Sequence, residues 1–279
     1  MKINVNTISS NAFLTRFEKY QRKLDKAILT ELNKRKDSVF YEPLRNIMRG
    51  GKRLRPILLL LSFESVAEVK LNPLPAAVAV ELIHLGSLIH DDIVDRDSMR
   101  RGRAAFHILY GYEMAILGAD FILSMILDIT TLYEDRRIAK ALALATSRMC
   151  EGQIEEILAY KKREKLSFEE YVNIVYKKTA SLFEASASIG AILGGAEEEE
   201  VKSLSDFGKM IGLAYQIRDD LTDLASSKIN NLLMFLNETE HIQAISNSYI
   251  LEAKNNLEKL KDSGARNLLL ELANYVDRK

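Results

Sequence analysis

The chain has 279 residues, and its 39 Lys and Arg balance its 39 Asp and Glu, so the formal net charge is zero. This balance excludes the excess positive charge on which nucleic-acid binding and polybasic membrane patches depend. The single cysteine, Cys150, excludes an internal disulfide and a cysteine-cluster metal site, and we expect a cytoplasmic protein. No apolar run approaches the ~20 residues of a bilayer span, so we expect no stable membrane insertion.

The predicted elements are helices. Apolar residues recur at three- and four-residue spacing, all four prolines lie at or before Pro75, and hairpin dipeptides are absent. The sequence therefore predicts an all-α bundle of about ten helices in one domain, residues 1–279. In chain order the predicted spans are 9–36, 38–49, 53–68, 74–93, 111–131, 134–162, 167–194, 198–225, 230–246 and 248–277.

Two basic clusters suit phosphate groups. The stretch Gly50-Gly51-Lys52-Arg53-Leu54-Arg55-Pro56 places three cations at a predicted helix start, where backbone N–H groups and the helix dipole favour anions. A second stretch, Arg100-Arg101-Gly102-Arg103, follows the end of the fourth predicted helix. Either cluster alone is typical of an exposed turn, and the second gains meaning from the acidic residues that precede it.

Two aspartate clusters of one design end the fourth and eighth predicted helices: His90-Asp91-Asp92-Ile93-Val94-Asp95 and Arg218-Asp219-Asp220-Leu221-Thr222-Asp223. On a helix, the first and third aspartates of each cluster lie one turn apart on the same face, where like charges repel. A hard divalent cation compensates this repulsion, and magnesium also recruits substrate phosphates. One such cluster is often only a solvated helix end. Two copies predict a magnesium clamp for a diphosphate.

On these motifs the chain resembles the trans-isoprenyl diphosphate synthases of the short-chain polyprenyl type, from about Arg49 to Asp223. The family pattern also contains, in this order, Glu81-Leu82-Ile83-His84, Ser87-Leu88-Ile89-His90, Glu151-Gly152-Gln153, Lys178-Thr179-Ala180-Ser181-Leu182 and Gly212 with Tyr215-Gln216-Ile217. The resemblance implies an isoprenoid-synthase fold around a central substrate cavity. It also implies condensation of isopentenyl diphosphate with an allylic diphosphate, dependent on Mg²⁺, for which Mn²⁺ can substitute.

The resemblance assigns roles to residues of this chain. Asp91, Asp95 and Asp219 would bind magnesium directly, and Asp92, Asp220 and Asp223 would support it through water. The residues Arg100, Lys178 and Gln216 would hold the allylic diphosphate, with Thr179 at the reacting end, and Lys52, Arg55, His84 and Arg101 would bind isopentenyl diphosphate.

Product length and assembly are further expectations. In the family the growing chain passes the residues one turn before the first cluster, here Gly86 and Ser87, which are too small to block it. We therefore expect a C20 or C25 product, stopped deeper by large residues such as Leu82, Met114 or Phe121. We also expect a homodimer, because the predicted helix 111–131 is apolar on more than one face.

Three alternatives stay open from the residues alone. A di-iron protein would use Glu81-x-x-His84 and Glu238-x-x-His241, but it leaves the aspartates and basic clusters without a role. A class I terpene cyclase would need no second diphosphate pocket, and a regulatory partner would need no intact aspartates.

The chain departs from the family after the second cluster. The loop of residues 224–233 is shorter than the loop usual in the family and lacks its lysine, and Lys228 is a weak candidate to replace that cation.

Overall fold

A computed structural model describes residues 5–69, 71–162, 165–225, 232–236 and 241–278, with side chains from Phe13 onwards. Within these ranges the chain forms twelve α-helices and one short hairpin, which confirms the all-α prediction. The helices are α1 (Val5–Asn33), α2 (Tyr41–Ile47), α3 (Leu54–Val66), α4 (Leu74–Val94), α5 (Phe106–Tyr110), α6 (Tyr112–Thr130), α7 (Arg136–Lys162), α8 (Phe168–Val175), α9 (Ser181–Gly194), α10 (Glu198–Ala225), α11 (Ile242–Leu257) and α12 (Gly264–Asp277). The hairpin pairs β1 (Met99–Arg100) with β2 (Arg103–Ala104). None of the helices in the described ranges has the length and hydropathy needed to cross a membrane.

Backbone contacts group the chain into two compact units. The first comprises Met1–Ile57 and Asn72–Arg136, and the second comprises Leu58–Leu71 and Arg137–Lys279. Helix α3 begins in the first unit and continues into the second. A single domain over residues 1–279 stays a prediction.

In the first unit, α4 packs against α6, and most residues of its first three turns are buried. The start of α4 is fixed by two side chains. Asn72 Oδ1 accepts a hydrogen bond from the Leu74 N–H at 3.1 Å, and the Tyr133 hydroxyl accepts one from the Ala76 N–H at 3.0 Å. Because these bonds satisfy amides that have no partner within the helix, they hold the helix that carries the first aspartate cluster.

In the second unit, α10 packs against both α9 and α11 and carries the second aspartate cluster. Glycines permit close approach on one side: a Cβ atom at Gly208 would lie 2.5 Å from the Phe183 carbonyl oxygen. On the other side, the buried Arg218 donates from Nε to Ser246 Oγ at 3.1 Å and from Nη2 to Asp277 Oδ1 at 2.7 Å. The arginine of the cluster therefore ties α10 to α11 and α12.

Several predicted boundaries were wrong. The predicted helix 167–194 is interrupted by a π-helical turn at Tyr176–Ala180, and residues 106–110 form a helix of their own before Gly111. The predicted spans 230–246 and 248–277 have the wrong bounds, because the break between the last two helices comes later, before Gly264. There Ser263 Oγ accepts a hydrogen bond from the Arg266 N–H at 3.1 Å and caps α12. In the described part of this region, α11 runs through the expected break.

We expect Gly190→Ala to lower the free energy of unfolding by about 1–3 kcal/mol, the cost of overpacking a core. A Cβ atom there would lie 2.3 Å from the Leu59 carbonyl oxygen, so α3 and α9 would have to separate. Gly86→Ala is the matched control, because its Cβ atom would meet only Ile122 Cγ2, at 3.8 Å. Urea unfolding measures both variants, and equal stabilities would contradict the close packing of α3 on α9.

Candidate active site

The first unit brings the two basic clusters together at the glycine turn, residues Gly50–Arg53. Arg101 Nη1 donates to the Gly50 carbonyl at 3.4 Å, and a Cβ atom at Gly51 would lie 2.8 Å from the same nitrogen. Gly51 therefore makes room for the guanidinium. Gln21 Nε2 donates to the Lys52 carbonyl at 3.0 Å, which fixes the turn from the side of α1.

Arg101 reaches the glycine turn because of the hairpin, which the sequence analysis missed. Its two turn residues, Arg101 and Gly102, have φ values of 52° and 74°. Positive φ at both central positions is the signature of a type I′ turn, the connection that fits the twist of a two-residue hairpin. The Arg-Gly pair was the available signal.

His84 on α4 lies in the field of these cations. Burial, followed by the positive charges of Arg55 and Arg101, lowers the pKa of His84 well below its ordinary range. The imidazole is therefore neutral at pH 7 and can donate one hydrogen bond without adding charge. Three of the four residues predicted for isopentenyl diphosphate thus influence one another, and the fourth, Lys52, is exposed on the glycine turn.

The three aspartates of the first cluster differ in environment. Asp92 is buried, and Arg100 Nε donates to its Oδ1 at 2.5 Å. Burial raises the pKa of Asp92, and the hydrogen bond from Arg100 opposes that rise. Asp91 is partly exposed and Asp95 is exposed, one turn apart at the C-terminal end of α4, where the Asp95 N–H donates to the Asp91 carbonyl at 2.8 Å.

In the second cluster, Asp220 is held by two donors. The Tyr171 hydroxyl donates to Oδ2 at 2.7 Å, and Gln216 Nε2 donates to Oδ1 at 2.8 Å. Gln216 in turn accepts a hydrogen bond from Thr179 Oγ1 at 2.9 Å. Burial raises the pKa of Asp220 to about 6, against the effect of both hydrogen bonds. Asp219 is only partly buried in α10.

The π-helical turn presents Lys178 and Thr179. Lys178 Nζ forms an ion pair with Glu156 of α7, and Lys177 Nζ pairs with Glu155 at 2.5 Å. A Cβ atom at Gly152 would lie 2.5 Å from the Lys178 backbone nitrogen, so α7 approaches the turn closely. Single π turns of this kind are frequent at functional sites.

A cleft in the second unit contains three of the four residues predicted for the allylic substrate, and the fourth, Arg100, belongs to the first unit. Its empty volume, open solvent included, is about 340 Å³. Lys178, Thr179, Gln216 and Asp220 line it together with Glu156, Tyr160, Ile174, Val175 and Leu232. Polar groups therefore meet an apolar wall there, as an amphiphilic ligand requires.

The aspartates fit magnesium by their chemistry. Across the described ranges, no group of three or more His, Cys, Asp or Glu is arranged to hold a metal ion. Magnesium does not need such a group, because it usually binds one or two carboxylates and completes its octahedral shell with water and substrate phosphates. Asp91 with Asp95, and Asp219 with Asp223, each supply a pair one helical turn apart.

Sequence reasoning missed several residues that support the site. Tyr171 holds Asp220, Glu156 holds Lys178, and Glu81 forms a buried ion pair with Arg53 at 2.5 Å. A Tyr directly after a Ser-x-x-Glu pattern and a Glu inside an apolar run were weak signals for Tyr171 and Glu81. Residues 226–231, including Lys228, lie outside the described residues, as does Glu238.

A family model described as polyprenyl synthetase matches residues 37–231, well over half of the chain. The chain belongs to this family. It is 36% identical over 277 residues to a geranylgeranyl diphosphate synthase of Methanosarcina mazei, covering 81% of this chain and 85% of that protein. A geranylfarnesyl diphosphate synthase of the same organism is 36% identical over 244 residues, covering 81% of each chain.

The fold agrees with the family. The crystal structure of a geranylgeranyl pyrophosphate synthetase from Pyrococcus horikoshii superposes with a TM-score of 0.87 at 29% identity, covering 97% of this chain and 99% of that one. The predicted resemblance and the isoprenoid-synthase fold are confirmed. The di-iron alternative also loses Glu81, which Arg53 already binds.

Proposed function

We propose that the protein is a trans-prenyltransferase that condenses isopentenyl diphosphate with an allylic diphosphate to give a C20 or C25 product. One observation supports this proposal within a polyprenyl synthetase: each unit contains its own group of cationic and polar side chains that suit a phosphate. The first set lies around His84, Arg55 and Arg101, and the second lines the cleft of Lys178. A terpene cyclase or a regulatory partner would not need both sets.

The aspartates would hold magnesium, and Mn²⁺ can take its place. Asp91, Asp95 and Asp219 are proposed as direct ligands, with Asp92, Asp220 and Asp223 acting through water. Asp92 already accepts from Arg100 and Asp220 from Tyr171, which suits an indirect role. When bound, the metal supplies positive charge that stabilises the departing diphosphate.

The chain's own cations would hold the allylic substrate. Lys178 and Arg100 provide charge to the diphosphate, and Gln216 provides an amide fixed by Thr179. Because Gln216 and Thr179 are already positioned by their hydrogen bond, the amide would stabilise the developing negative charge without reorganisation. Thr179 itself would line the reacting end.

Isopentenyl diphosphate would bind to Lys52, Arg55, His84 and Arg101, where charge alone suffices. Cleavage of the C–O bond releases diphosphate from the allylic substrate and leaves an allylic carbocation. The isopentenyl double bond attacks this cation to form the new C–C bond, and the resulting cation loses a proton. The released diphosphate takes the proton that is lost, so the reaction requires no side-chain base.

The cytoplasmic location expected from the composition stays a prediction.

We expect Asp91→Ala and Asp219→Ala each to reduce turnover by about 10³-fold, because each removes a ligand that acts on charge developing in the transition state. Circular dichroism should show an unchanged helical signal. Asp206→Ala is the control on α10, since Asp206 lies outside the cluster and forms an ion pair with the exposed Lys202 at 3.0 Å. Near-normal turnover in Asp219→Ala would refute the assignment.

The KM values of the two substrates should depend on different cationic residues. We expect Lys52→Ala or Arg55→Ala to raise the KM for isopentenyl diphosphate, and Lys178→Ala to raise the KM for the allylic substrate, because the groups lie in different units. Lys177→Ala is the control, since Lys177 shares the π turn but does not line the cleft. Steady-state kinetics with each substrate varied in turn decide the matter, and equal effects on both KM values would overturn the division.

Product length should depend on Gly86. We expect Gly86→Phe to shorten the product made from farnesyl diphosphate, because a Cβ atom at Gly86 already lies 3.8 Å from Ile122 Cγ2 and a ring would fill that space. Ser87→Ala, a change between small residues, should leave the length unchanged. Chromatography of the products tests this, and a wild type that stops at C15 or an unaffected Phe variant would contradict it.

We propose a homodimer formed through α6. Met125 and Ile126 are buried, but Leu117, Leu123 and Leu127 on the same helix are exposed. An apolar helix face of this extent favours a partner surface. Light scattering at micromolar concentration should give the mass of a dimer, and Leu123→Glu should give a monomer. Leu251→Glu, at an exposed position of α11, is the control, and a monomeric wild type would refute the proposal.

A further inference from the structure

Arg53 is the last residue of the glycine turn and lies between Lys52 and Arg55 in the sequence. Its side chain is turned inward and is only 1% exposed. Its guanidinium donates from Nε to Asp25 Oδ1 at 3.0 Å and from Nη1 to Glu81 Oε1 at 2.5 Å. Nη2 donates to the Met48 carbonyl. These three bonds use the guanidinium within the protein, so Arg53 is not a phosphate ligand.

The backbone of Arg53 is as unusual as its side chain. Its φ of 54° lies in the left-handed region, which residues with a Cβ atom rarely adopt and which persists only where the surroundings enforce it. Its carbonyl accepts from the Ile57 N–H at 3.0 Å at the start of α3. The conformation of Arg53 therefore sets the direction in which the chain leaves Lys52 and enters the helix turn that carries Arg55.

Glu81 connects this turn to α4. It is buried, and its carboxylate needs a cation because an unpaired charge in the interior is costly. Glu81 lies three residues before His84 on the same helix, so the two side chains share one face. The pair of Arg53 and Glu81 thus links the glycine turn to α4. The turn carries Lys52 and leads directly to Arg55 on α3, and α4 carries His84.

We propose that Arg53 is a positioning residue for isopentenyl diphosphate. Its buried pair with Glu81 holds the glycine turn in one conformation, so that Lys52 and Arg55 meet the diphosphate without first being ordered. Such preorganisation lowers the entropic cost of binding. The inference rests on the proposed function of this turn, and it adds a residue that acts without touching the substrate.

Arg53→Lys is the decisive variant. It keeps the positive charge for Glu81, but an ammonium group cannot reproduce the planar fork that serves Asp25, Glu81 and Met48 together. We expect the KM for isopentenyl diphosphate to rise about tenfold, while the KM for farnesyl diphosphate changes by less than about twofold. A purely structural loss would affect both substrates alike.

Arg35→Lys is the matched control. Arg35 also bridges two carboxylates in the first unit, donating to Glu31 Oε1 at 3.0 Å and to Asp128 Oδ2 at 2.7 Å, and neither acceptor belongs to the glycine turn. Neither KM should change in this variant. Equal changes of both KM values in Arg53→Lys, or no change in either, would overturn the proposal.

A second variant covers the case in which circular dichroism shows that Arg53→Lys does not fold. Asp25 is 51% exposed, so Asp25→Ala removes one acceptor of Arg53 without stranding a buried charge. We expect a rise of about threefold in the KM for isopentenyl diphosphate, and no rise would refute the role of Arg53. Failure of the wild type to condense the two substrates would instead refute the proposed function, and the inference with it.

Discussion

The repulsion between aspartates one helical turn apart is the constraint on which the rest of the structure depends. Asp91 with Asp95 at the end of α4, and Asp219 with Asp223 near the end of α10, place like charges where an isolated helix would be weakened. The fold tolerates this cost because both helices are held along their buried lengths. Core packing of α4 against α6, and of α10 against α9 and α11, supplies that support.

The central aspartate of each cluster shows how the protein controls this charge. Asp92 is buried and accepts hydrogen bonds from Arg100, and the partly buried Asp220 accepts hydrogen bonds from Tyr171 and Gln216. In both cases burial raises the pKa of the carboxyl group, while the hydrogen bonds act in the opposite direction. In the first cluster the flanking Asp91 and Asp95 are more exposed than Asp92, and in the second cluster Asp219 and Asp223 are partly exposed, so these four carboxylates are accessible to a hydrated metal ion.

Local signals in the sequence predicted much of this arrangement. The bounds of α10 agree with the predicted span 198–225, and Ser167 with Glu170 forms the capping box that starts α8. The aspartate spacing and the glycine turn also pointed to residues that lie close together within a unit, and the roles of these residues stay predictions. These features depend on residues a few positions apart, so sequence is sufficient to recognise them.

Features that depend on distant partners could not be predicted in the same way. Arg53 resembled its exposed neighbours in sequence, and only the positions of Asp25 and Glu81 show that it turns inward. The π turn before Ser181 and the contact of Arg101 with Gly51 likewise follow from packing between elements. The late break before α12 was missed because the helical pattern of the last fifty or so residues has no proline to end it.

The central claim is that the aspartates are arranged for magnesium together with a diphosphate. The direct test is the thermal unfolding midpoint of the wild type with Mg²⁺ alone, with a non-reactive thio analogue of farnesyl diphosphate alone, and with both. If each ligand completes the site of the other, their binding is linked and the rise in Tm with both exceeds the sum of the separate rises. Separate rises that merely add, or an analogue that stabilises equally well in the presence of a chelator, would contradict the account.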